Sequence, residues 1–171
     1  AVQAQMGLLE AKAALDAGAG RDADLVVVDG PLLDRRAVDG VVGYVKTHHV
    51  HYLGPGHEEV VAGLRAGERT PLFRIGGRFP RWSWYLRLPF GRGHPWAGVV
   101  RCEAPPDLDV GAARRRADQT AAVLPRFASE PHKDARAPQN LHPIAGLERA
   151  LRRRLGDAAL LERALRVAAA S

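Results

Sequence analysis

With 171 residues, 46% of them hydrophobic, the chain can bury a proper core, and no apolar run approaches the roughly 20 residues a membrane helix requires. The single cysteine, Cys102, excludes an internal disulfide and fits a reducing compartment, so a cytoplasmic location is expected. Lys and Arg number 25 against 19 acids, a formal net charge of +6 that suits a polyanionic partner, although a GC-rich coding sequence raises arginine and alanine in the same way.

Residues Val2 to Ala17 lack proline, are rich in Ala and Leu and stop at Gly18, which predicts a helix. Within it Glu10 has Met6, Gly7, Ala13 and Ala14 one turn away, a small and mostly apolar face. A carboxylate buried on such a face needs a partner or a metal; the alternative is a partly exposed helix glutamate. The first residue is Ala1 and the chain opens inside this helical pattern, so upstream sequence is expected.

Leu25 to Val28 form a continuous apolar run that ends in Asp29-Gly30-Pro31. Such a run predicts a strand buried on both faces, closed by a turn in which Gly30 frees the backbone and Pro31 ends the ladder. Asp29 then stands at the carboxyl end of a strand, where open α/β sheets place their chemistry; capping of the turn is the other reading. Val41 to Thr47 predict a second strand, which runs into Lys46, Thr47, His48 and His49. His48, His49 and His51 lack further Cys or His at zinc-site spacing, which argues against a structural zinc. Lys46 beside histidines suits a phosphate, or a solvated edge.

His57 to Ala66 predict a short helix, and Thr70 to Ile75 a strand. Trp82 to Leu88 and Trp96 to Glu103 then predict an antiparallel pair joined by a Gly/Pro loop. Trp82, Trp84, Tyr85 and Trp96 suit the core better than base stacking. Beyond Pro105-Pro106, Val110 to Phe127 predict a helix up to Pro125 that carries Arg114, Arg115 and Arg116. Ser129 to Gln139 form a polar loop, and helices over about Ile144 to Leu155 and Ala158 to Ala169 finish the chain. Strands first and helices last predict a mixed sheet with helices packed on it. Neither a P-loop nor G-x-G-x-x-G after a strand is present, which weakens a nucleotide-binding reading.

The stretches DLVVVDGPLLDRR, VVGYVKTHH, WYLRLP, PWAGVVRCE and SEPHKDARAPQNLHPIAGLERALRRRLGD, in this order, resemble the NurA family of DNA-repair nucleases. Its most specific parts are the D-G-x-L turn after an apolar strand, the G-x-V-K strand, and P-Q-N-L-x-P before a helix. The resemblance implies an RNase H-like mixed sheet flanked by helices, with a helical C-terminal third, forming a single domain over residues 1–171. It implies an exonuclease that resects DNA ends with manganese or magnesium, as a homodimer docked on a HerA-like hexameric ATPase.

Position by position, Asp29 matches the aspartate of D-G-x-L and Glu10 the upstream metal-binding glutamate, so these two are the candidate catalytic and metal residues. Lys46 matches the lysine of the following strand; with His48, His49, Arg35 and Arg36 it makes the candidate nucleic-acid-binding set. Two departures stand out. The family's first catalytic aspartate lies on an N-terminal strand that this chain lacks, and His142-Pro143 replaces Tyr-Pro, with the family's later histidine position near Leu151. An inactive module that binds DNA or the ATPase on the same fold is therefore the rival expectation. Convergence of carboxylates has a chemical reason: phosphodiester hydrolysis uses hard divalent ions about 3.5–4 Å apart, held by oxygen ligands.

Overall fold

The computed structural model describes residues 2–18, 25–32, 40–47, 50, 52–54, 56–132 and 137–170. Helix α1 (Val2–Gly18) precedes strands β1 (Val26–Asp29) and β2 (Val41–Val45). Helix α2 (Glu58–Ala62) leads to β3 (Phe73–Ile75), β4 (Arg81–Arg87) and β5 (Val99–Ala104). Helix α3 (Val110–Val123) continues into a 3-10 turn at Leu124–Phe127, and α4 (His142–Leu155) and α5 (Ala158–Ala170) follow. The sheet order is β1-β2-β5-β4-β3, with β1 parallel to β2 and every other neighbour antiparallel. The predicted α/β class, the mixed sheet flanked by helices and the helical C-terminal part are all present.

Alternation along β5 divides the sheet into two chemically different faces. Val100, Cys102 and Ala104 join Val42, Tyr44, Trp84 and Leu86 in the main core beneath α3. The Trp84 indole N–H donates to Thr120 Oγ1 of α3 (3.0 Å), and Tyr44 donates to the Gln139 carbonyl ahead of α4 (2.6 Å), so both helices are pinned by a polar tip on a buried ring. The opposite face carries Val99, Arg101 and Glu103. Val99 packs with Val61 of α2 and Tyr85, while Ala14 of α1 packs with Val28, Leu32 and Val41. The charged pair on β5 therefore sits between two small apolar clusters.

Two expectations change. The strand at Leu25 to Val28 is outermost among the described strands and only Val28 of it is fully buried, because β1 pairs with β2 alone. The second strand stops at Val45, leaving Lys46 and Thr47 past the ladder. Trp84 and Tyr85 are buried, as a core role predicts, with Tyr85 edge-on to Trp96 at 5.4 Å. Arg87 ties the end of α2 to the far end of the Gly/Pro loop, donating to the carbonyls of Val61, Ala62, Leu64, Pro95 and Ala97. No described helix is long and apolar enough to cross a membrane.

Burial pushes the Cys102 thiol and the Tyr44 and Tyr85 hydroxyls upward from their ordinary values of 9.0 and 10.0. Each group thus holds its proton more tightly in the fold than in the unfolded chain. Their stabilisation is complete below about pH 9 and is lost above it, where the unfolded state ionises first. Melting followed against pH should show a decline that begins in this alkaline range. Folded protein should also resist thiol alkylation at neutral pH until denaturant is added; rapid labelling of native Cys102 would contradict the packing.

Candidate active site

The D-G-P-L turn closes over the end of the sheet because of two glycines. Gly30 takes φ +90°, a conformation that side chains rarely tolerate, and its N–H donates to the Tyr44 carbonyl (2.8 Å). Beneath the turn lies Gly43 of β2. A Cβ there would stand 3.0 Å from the Gly30 carbonyl oxygen and 3.1 Å from both the Leu32 nitrogen and Cγ. The glycine of the G-x-V-K segment is thus the space into which the turn sinks.

At the carboxyl ends of β1 and β2, Lys46 Nζ donates to Asp29 Oδ2 at 2.8 Å. Asp29 is exposed and Lys46 less so. The two border a cleft of about 390 Å³ completed by Gly30, Pro31, Val45, Thr47, Val50, Tyr52 and Arg101. Residues 29 and 46 are 17 apart in sequence, yet parallel pairing of β1 with β2 brings their ends side by side. An ion pair this open to water contributes at most about 1 kcal/mol, so its value lies in placing charge rather than in stability.

The floor of the cleft is Arg101, whose guanidinium lies 4.5 Å from the centre of the Tyr52 ring. Arg101 Nη2 donates to Glu103 Oε1 (2.8 Å), and Arg81 Nε donates to the same oxygen (2.7 Å). Glu103 Oε2 accepts the Leu32 backbone N–H (3.1 Å), and the carboxylate has no exposure to solvent. A buried carboxylate on β5 therefore holds both the turn after Asp29 and the arginine below the cleft. Sequence reasoning missed Arg101 and Glu103. Their signal was two charges at alternate positions in an otherwise apolar strand, Val99 to Ala104, which places both on one face.

Among the sequence-derived candidates, the structure brings Asp29 and Lys46 together. Arg35, Arg36, His48 and His49 lie outside the described residues, as does the side chain of Glu10. The backbone of Glu10 lies in α1, one turn before Ala14. That helix packs on the face bearing Val28, whereas Asp29 is in register with Tyr44 of the other face. No cluster of three or more His, Cys, Asp or Glu suited to a metal occurs among the described residues. Asp29 is the one carboxylate on the cleft among them, which is fewer oxygen ligands than a hard divalent ion takes; Glu103 is already committed to two arginines. The described residues thus fit a metal only in part.

A sequence model of the NurA domain matches residues 1–152. The chain belongs to the NurA family. It is accordingly a member of a nuclease family that acts in DNA end processing, and NurA nucleases are generally dependent on divalent metals. No curated protein matches it. The matched residues include the D-G-P-L turn and the segment ending at Lys46 that border the cleft.

Two substitutions test how the site is built. Gly43→Ala should cost about 1–3 kcal/mol by crowding the turn, and should displace Asp29 enough to lower any activity more than stability. Glu103→Ala leaves two buried guanidiniums without their carboxylate and should cost about 3–5 kcal/mol in denaturant unfolding. A loss below about 1 kcal/mol would mean the pair is not buried in solution.

Proposed function

We propose that this NurA domain is a metal-dependent DNA nuclease that resects DNA ends in double-strand break repair, acting in the cytoplasm as a homodimer with a HerA-like ATPase. The observation that carries this reading is the Asp29–Lys46 pair on a cleft at the carboxyl ends of two parallel strands. Asp29 and, from α1 on the other face, Glu10 would meet at the edge of β1 to hold manganese or magnesium, which when bound activates water and stabilises the leaving oxygen. Lys46 sits where it can offset the charge of a backbone phosphate while orienting Asp29 through the 2.8 Å contact. Arg35, Arg36, His48 and His49, which flank the two strand ends in sequence, are proposed to extend the DNA-binding surface. The surplus of basic residues supports a polyanionic substrate.

A second reading is favoured by one observation, the single carboxylate on the cleft among the described residues. On that reading the fold is kept as a non-catalytic module that binds DNA or the ATPase. Degradation of labelled linear DNA with manganese separates the two. The nuclease reading expects cutting that Asp29→Asn lowers by about a hundredfold or more without lowering the melting temperature. DNA retention without cutting by the unsubstituted chain would instead establish the binding module. Either reading expects affinity to fall steeply with salt, and salt-indifferent retention would reject both.

A further inference from the structure

The arginines at the cleft floor are unequally committed. Arg81 gives Nε to Glu103, Nη1 to the Phe79 carbonyl (2.7 Å) and Nη2 to the Tyr52 hydroxyl (3.3 Å), and it does not line the cleft. Arg101 does line it. Arg101 gives Nη2 to Glu103 and is hydrogen-bonded to the Tyr85 hydroxyl, while its Nε is buried with no hydrogen-bond partner among the described residues. The charges are unequal too. Two guanidiniums share one carboxylate oxygen, and Asp29 is paired with Lys46, so the described cluster carries an excess of one positive charge. A guanidinium that is 7% exposed and whose charge is only half compensated by carboxylate is favoured by an anion brought to the cleft it lines. The same side chain opens on the cleft that holds Asp29.

We propose that Arg101 is a DNA-phosphate-binding residue of this cleft and that Glu103 is its positioning residue. The identity of the polyanion rests on the nuclease reading; the requirement for an anion rests on the charge count and on Arg101 lining the cleft. Glu103 holds one edge of the guanidinium through Nη2 and the backbone of the D-G-P-L turn through Leu32. One carboxylate therefore fixes the spacing between the phosphate-binding group and the turn bearing Asp29. Tyr52, stacked on the guanidinium, keeps its plane from rotating away.

The test is DNA binding by the whole chain in EDTA, which needs no catalysis. Fluorescence anisotropy with a short labelled duplex is recorded over a series of salt concentrations. Arg101→Met keeps the apolar stem and leaves Glu103 with Arg81 and the Leu32 N–H. It should weaken binding about tenfold and make the log–log salt slope shallower by about 0.9, the loss of one phosphate contact. Arg101→Lys keeps the charge but not the fork, so the slope stays while affinity falls. Glu103→Gln, compared at a temperature where its melting curve shows it fully folded, should likewise lower affinity at an unchanged slope. Arg69→Met, which breaks a pair with Asp118 away from this cleft, serves as the control for loss of a surface charge.

Wild-type affinity and slope in a folded Arg101→Met would overturn the proposal. If that variant does not fold, Arg101→Lys decides, and unchanged affinity in it is the overturning result. Normal affinity in a folded Glu103→Gln removes the positioning role. Failure of the unsubstituted chain to bind DNA in a salt-dependent manner would reject the nuclease reading itself, a result distinct from failure of the variants.

Discussion

A carboxylate with no access to water holds this molecule's working end together. Glu103 accepts from two arginines at one oxygen and from the Leu32 backbone at the other, and it sits between the apolar clusters under α1 and α2. Burying such a charge is unfavourable unless every lone pair is used, and here the surroundings provide three donors. Hydrophobic residues of the same size would pack as well and cost less. What they would not supply is direction: the turn after β1 and the guanidinium at the cleft floor both take their positions from one rigid strand.

The remaining framework serves that arrangement by keeping it on one face of the sheet. The other face is an ordinary core, in which Trp84 and Tyr44 bury their rings and spend their polar tips on α3 and on the segment before α4. Gly43 and Gly30 let the turn cross from the sheet edge onto the charged face without strain. A side chain at Gly43 would meet the turn itself, which explains why a glycine stands in the middle of a strand where it would otherwise weaken the ladder. Arg87 does for the Gly/Pro loop what Glu103 does for the cleft, gathering carbonyls that would otherwise be left without donors.

Chemically, the cleft combines an exposed carboxylate, a lysine that holds it and an arginine behind both. Such a surface suits a phosphodiester better than a neutral substrate, since each cation is placed by an anion of the protein rather than left to wander. NurA membership gives that arrangement its context in DNA end processing.

Local pattern was enough to place most of the elements, because apolar runs, glycines and prolines act within a few residues of one another. Helices α3, α4 and α5 and the β4–β5 pair follow from such signals, as does Asp29 at a strand end. The family resemblance, carried by D-G-x-L and G-x-V-K, rested on the same short stretches. What the tertiary structure alone decided was company. Parallel pairing of β1 with β2 set Lys46 on Asp29, and placed β1 at the edge of the described sheet rather than at its centre. Arg101 and Glu103 lay hidden inside a strand that reads as core, since a charge on a buried strand declares its purpose only when its partners arrive from Arg81 and Leu32, 22 and 71 residues away. Sequence determined which residues lie on which face; the long-range donors, visible only in the fold, determined which of them form a site.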